Sequence, residues 1–305
     1  MGYQQSHKIR FDKKMSEHSV SWIDPHIHFF ALDEGDYNWL KPANAPFWPD
    51  KKAIAKHTTE HTLYCASLGQ LEGFVHIEAG YDNERPWREI AFLERHCTLP
   101  FRSVGCIDLT GNKVGSHIDK LNKYNSVRGL RHILDDEAEA LLRTPKVKWG
   151  LRHMASQDFS FDAQLNLADS NAVRALLNVL EQTPSLKVAI NHAAIAPMDA
   201  NSLGFKTWQQ NIRYLSETEQ VAFKFSGLEM QERCWQWQRA SAIFERLLHT
   251  VGADRMMFAS NFPLCKWRMP YAVLWRGFVA MTTSLSETQK AALLSVNAKR
   301  WYDIA

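Results

Sequence analysis

The stretch "WIDPHIHFF", Trp22 to Phe30, joins an apolar run to two histidines, His26 and His28, spaced two residues apart. In an extended chain, side chains alternate faces, so residues i and i+2 point the same way. Read as a strand, the stretch aims Asp24, His26 and His28 at one place beyond the end of a buried sheet. Seven further runs have the same form, short and β-rich with polar residues at the end. They are "GFVHIEAG" (73–80), "FRSVGCIDL" (101–109), "VRGLRHIL" (127–134), "DFSFDAQLN" (158–166), "KVAINHAA" (187–194), "VAFKFSGL" (221–228) and "RMMFASNFP" (255–263).

Helical patterns lie between several of these runs. "DSNAVRALLNVLEQTP" opens on Asp/Ser capping candidates and ends at Thr183-Pro184. "RASAIFERLLHTVG" stops at Gly252, a residue suited to the position after a helix. The C-terminal stretch opens with Ser286-x-x-Gln289, a capping box before an apolar periodicity. Strands alternating with helices imply parallel βαβ units. Eight such units in a chain of 305 residues predict an α/β fold, a closed (β/α)8 TIM barrel. The expected organisation is a single domain over residues 22–305, preceded by a flexible leader, 1–21. An open doubly wound sheet is the competing fold, but no Gly-rich G-x-G-x-x-G turn follows the first strand.

Composition narrows the function. The chain is 45% hydrophobic and 23% charged, with a net charge of +3 and no blocks of Lys or Arg. Nothing here resembles the basic footprint of a nucleic-acid binder, and no apolar run approaches a membrane span. Five scattered cysteines without a C-x-x-C pair read as reduced thiols of a cytoplasmic protein. The expected partner is a small-molecule substrate. Trp235 and Trp237 can face either a helix or a second copy, so a homodimer is left open.

In a TIM barrel, chemistry is carried at the C-terminal ends of the strands. Those ends offer Asp24, His26 and His28, then His76 and Glu78, Arg131 and His132, His192, Lys224 with Ser226, and Asn261. His76 reads as a hydrogen-bonded structural residue. In "VAFKFSG" the phenylalanines should meet the helices and leave Lys224 inside, where a buried ammonium needs a partner; Glu78 is the candidate counter-ion. The long aromatic segment 31–52, which includes Trp39, reads as a lid or specificity loop.

Taken in order, "IDPHIHFF…YNWL", "VHIEAG", "VRGLRHIL", "FKFSGL" and "FASNFP" resemble the amidohydrolase-related metal-dependent hydrolases of the TIM-barrel fold. The branch they resemble is that of sugar-lactone hydrolases and 2-pyrone-4,6-dicarboxylate lactonases. The resemblance extends from Trp22 to the closing "NAKRWYDI". It implies that His26 and His28 are the strand-1 pair, that His192 is the strand-6 histidine and that Arg131 binds a substrate carboxylate. It further implies that Lys224 matches the lysine of a "K-L-S-G" motif.

Two departures stand out. The family's strand-8 motif reads Gly-Ser-Asp-Trp/Phe-Pro and its Asp activates water; here Ala259-Ser260-Asn261-Phe262-Pro263 has an amide instead. An amide keeps the shape but cannot take a proton. The strand-5 metal position offers only Asp162. The resemblance therefore implies hydrolysis of a small lactone by activated water, with His192 as general base and Glu78 as the second choice. Lys224, His26 and His28 would face the developing oxyanion, Asn261 would orient the water, and Arg131 and Trp39 would contact substrate. The expected metal centre is empty, or is one divalent ion (zinc or manganese) on His26, His28 and His192. The alternatives are a divalent-metal amidohydrolase or decarboxylase, and a barrel that binds a metabolite without turning it over.

Overall fold

In the computed structural model, which describes residues 20–305, eight parallel strands follow one another around a single sheet in chain order. They are β1 (Trp22–Ile27), β2 (Leu71–Ile77), β3 (Phe101–Cys106) and β4 (Val127–Arg131), then β5 (Ser160–Ala163), β6 (Val188–Ile190), β7 (Val221–Phe225) and β8 (Met256–Phe258). The fold is a (β/α)8 TIM barrel, as the alternation of runs predicts. Nearly all of the expected leader falls outside the described residues. No helix among the described residues is long and apolar enough to cross a membrane.

Side-chain alternation explains the two faces of the sheet. Ile23, Val75, Val104, Ala189, Ala222 and Met257 point inward and pack with Ala298 and Tyr302 from the C-terminal helix and with Ile304 just after it. That helix, Asn297–Tyr302, continues from the capping box that the sequence shows: Ser286 accepts from the Gln289 amide, and Gln289 answers on the Ser286 amide. It closes the end of the barrel opposite the histidines. Outward residues meet the surrounding helices: Trp22 stacks on Trp275 at 4.8 Å between centroids, and Phe225 packs on Phe244 and Phe278. Trp235 is buried, and Trp237 lies against Phe278 and Gly277. Trp235 thus belongs to the core, and Trp237 is half-buried against it.

Two of the strands, β6 and β8, are shorter than their apolar runs suggest because the chain bends sharply where the run turns polar. His192, Ala193, Ala194 and Ile195 take four successive left-handed conformations after β6, and Asn261 takes another after β8 (φ 57°). Non-glycine residues hold such angles only where their surroundings over-determine them.

One expectation is corrected. Asp24 does not share a face with His26, because the β1 register shifts between Asp24 and Ile27. Its Oδ1 accepts from the amides of Ser260 (3.0 Å) and His26 (3.2 Å), and its Oδ2 accepts from the Tyr271 hydroxyl (3.0 Å). Asp24 therefore ties β1 to the β8 end and to the helix Tyr271–Met281. Burial pushes its carboxyl up to about 6, against the lowering effect of those donors. Next to it the ring closes: the His28 amide donates to the Phe262 carbonyl, and the Asn261 amide to the His26 carbonyl.

Candidate active site

The three histidines expected at the strand ends converge. Ring centroids are 5.1 Å apart for His26 and His28 and 4.6 Å apart for His26 and His192. Each ring is held differently. His28 Nδ1 faces the carbonyls of Ile77 (2.9 Å) and Glu78 (3.2 Å), so it carries the proton, and the Asn261 side chain lies within reach of the ring. His192 Nδ1 lies 3.1 Å from Ser226 Oγ, which fixes the ring after the left-handed turn. Both nitrogens of His26 are buried without a partner. A buried polar atom left unpaired costs on the order of 1–3 kcal/mol, so this imidazole is aimed at something that binds.

All three rings are uncharged at neutral pH. Burial lowers His28 to about 3, with Arg131 adding to the effect. Burial presses His26 and His192 well below the ordinary value; His192 and the Lys224 ammonium add to the effect at His26, and Arg131, His28 and Lys224 add to it at His192.

Gly227, at the end of "FKFSG", makes room for His192. Its φ is +68°, and a Cβ there would lie 2.2 Å from His192 Nδ1. Gly227→Ala is expected to cost about 1–3 kcal/mol, from backbone strain alone, and to push His192 out of place. Thermal unfolding and turnover measured together should both fall; an unchanged pair of values would contradict the contact.

The charged residues pair in an unexpected order. Lys224 is inside the barrel as predicted, but its counter-ion is Asp162, not Glu78. Asp162 also accepts from the Tyr302 hydroxyl at 2.9 and 3.1 Å, and Lys224 Nζ sits 4.9 Å from the centre of that ring. Burial pulls the ammonium below the ordinary lysine value while Asp162 holds it up. The reason for the exchange is register. The pairing sets Asp162 beside Ala189 and Ala189 beside Ala222, two residues before Lys224 on β7, whereas Glu78 follows the end of β2 and meets Arg131 at the end of β4.

Glu78 instead takes Arg131, with Nη2 at 2.6 Å and Nε at 2.8 Å from its Oε1. Arg131 Nη2 also donates to the Glu78 carbonyl (3.1 Å), the same oxygen that His28 reaches. Of the guanidinium, Nη1 is left for a substrate. A cavity of about 540 Å³ opens beside this pair, bordered by Asp108, Lys113, His117 and His132. That size suits a small molecule, and its walls carry both charges. Trp39 stands midway along the aromatic loop, its Nε1 donating to the Ala79 carbonyl at 2.8 Å. His76 accepts from the Phe29 amide (3.0 Å) and is structural, as read.

Sequence reasoning missed Glu229. It is buried, and its Oε1 accepts from Asn261 Nδ2 at 2.7 Å. Burial pushes its carboxyl up to about 7. The only signal was an acidic residue two positions past the glycine of "FSGLEM", which reads as solvated surface until β7 and β8 are placed side by side.

These donors do not fit the expected divalent centre. Three neutral imidazoles are suitable ligands, but the position that should add an anion is an amide already donating to Glu229. The strand-5 carboxylate, Asp162, is taken by Lys224 and Tyr302. Among the described residues, no group of three or more His, Cys, Asp or Glu is arranged to hold a metal ion.

The comparisons agree with the architecture. The family model described as "Amidohydrolase" matches residues 23–304. The uncharacterized protein y4mH of Sinorhizobium fredii is 29% identical over 300 residues, covering 93% of this chain and 99% of its own length. L-fucono-1,5-lactonase of Burkholderia multivorans is 25% identical over 295 residues, 92% of this chain and 95% of that protein. An amidohydrolase from Burkholderia multivorans, solved with bound zinc, has the same fold at a TM-score of 0.80. It is 19% identical and covers 94% of this chain and 100% of its own. With the match spanning the barrel from its first strand to its closing helix, the chain belongs to the amidohydrolase family and is a hydrolase.

Proposed function

We propose that this hydrolase opens a small lactone bearing hydroxyl or carboxylate groups. The observation that carries the reading is the set of three uncharged imidazoles, one with both nitrogens unpaired, next to a half-engaged arginine that itself lines a polar cavity. The similarity to an L-fucono-1,5-lactonase supports the same class of substrate.

The chemistry follows from the groups present. The lactone carbonyl oxygen lies against His26, whose N–H donates to it as negative charge develops in the transition state. His192, uncharged, accepts a hydrogen bond from the attacking water. Arg131 Nη1 holds a carboxylate or hydroxyl on the ring, and Lys113 and His132 border the remaining space. No step in this scheme passes through a metal ion.

The test is a panel of sugar-acid γ- and δ-lactones, assayed by proton release on protein treated with chelator. Polyhydroxylated lactones should be hydrolysed, and His26→Ala should lower kcat by ~10²–10³-fold, the usual loss on removing one oxyanion donor. Activity that disappears on chelation and returns with zinc or manganese would favour the divalent-metal reading. A panel without turnover would leave the metabolite-binding barrel.

A further inference from the structure

Hydrolysis needs an acceptor for the proton of the attacking water, and the residue at the expected place, Asn261, cannot be one. The missing carboxylate is one hydrogen bond away. Glu229 follows β7 on a short helical turn, Leu228–Gln231, and Asn261 follows β8, so neighbouring strands bring the two together. Asn261 Nδ2 donates to Glu229 Oε1 at 2.7 Å, and the same amide side chain reaches His28. The second carboxylate oxygen of Glu229 has no side-chain partner among the described residues.

We propose that Glu229 is the catalytic base of this site, held in position by Asn261. The inference rests on the lactonase reading and names its proton acceptor. Water adds to the lactone carbonyl carbon and gives its proton to the Glu229 carboxylate. The tetrahedral intermediate then collapses, the ring C–O bond breaks, and Glu229 returns the proton to the departing alkoxide oxygen. The product is the open hydroxy acid, and Glu229 ends as it began.

The surroundings suit the role. Among the described residues no cation forms an ion pair with Glu229: Arg233 lies near but is paired with Asp50. Cys265, on the turn after β8, is a neutral thiol pushed up by burial. A carboxyl so placed, with only Asn261 and its own backbone as donors, holds a proton near neutrality. This suits a group that must both take and return one. His192, pressed far the other way by burial, orients water but holds a proton poorly.

The experiment compares the parent, Glu229→Gln, and the doubly exchanged Asn261→Asp/Glu229→Gln on the fastest lactone of the panel. Glu229→Gln should lower kcat by ~10²–10⁴-fold with KM nearly constant and remove the acid limb of the pH profile. The double variant, which moves the carboxylate back to β8, should recover turnover. Glu229→Ala should be rescued by added formate, which covers the case where Glu229→Gln does not fold. Full activity of Glu229→Gln in an active parent overturns the role of Glu229. A parent inactive on every lactone overturns the lactonase reading itself. Apart from turnover, an infrared carboxyl band absent from Glu229→Gln should titrate near neutral pH. A band that stays ionised down to acid pH would also overturn the assignment.

Discussion

Lys224→Met is expected to lower the stability of the barrel by about 3–5 kcal/mol, because it leaves Asp162 as an uncompensated buried charge. Lys224 and Asp162 are both fully buried. Apart from Lys224, the donor on Asp162 is the Tyr302 hydroxyl. The loss should appear as a shift of the urea midpoint without a change in slope. Adding Asp162→Asn removes the stranded charge and should recover most of the loss. That folded double variant also decides what Lys224 does. If its ammonium helps to hold the developing oxyanion, the double variant stays inactive although stable. If it regains full turnover, Lys224 is a barrel strut and nothing more.

Arg131→Ala should weaken both the fold and the chemistry. The guanidinium is the partner of a buried Glu78 and also donates to the carbonyl that orients His28. Truncating one partner of such a pair typically costs 2–5 kcal/mol, much of it from stranding the other charge. Where the lost contact is one made to the substrate, kcat/KM should also fall, by about tenfold for each 1.4 kcal/mol of transition-state stabilisation removed. Arg131→Lys keeps the charge but loses the planar fork. It should restore stability better than activity, most visibly on lactones that carry a carboxylate. Equal losses on charged and neutral lactones would show that Nη1 does not contact the substrate carboxylate.

The same sequence feature fared differently in different places. "VAFKFSG" alone placed Lys224 inside and the phenylalanines outside, since strand alternation is a local rule. It did not identify the counter-ion, because Asp162 lies 62 residues away and only the order β5-β6-β7 around the barrel brings the two together. "WIDPHIHFF" announced the histidine pair, yet its own Asp24 turned away toward Tyr271 when the register slipped.

The sequence by itself determined that this chain is a (β/α)8 barrel with His26, His28, Arg131, His192 and Asn261 at its catalytic end. Periodicity and the strand-end position of polar residues are enough for that. Only the tertiary structure decided how the charges pair and where the missing carboxylate lies. Glu229 and Asn261 are 32 residues apart and meet because β7 and β8 are neighbours in a closed ring. Hydrogen bonds across a barrel mouth depend on which strand ends are adjacent and at what height. A linear pattern names the groups; register and closure decide which of them touch.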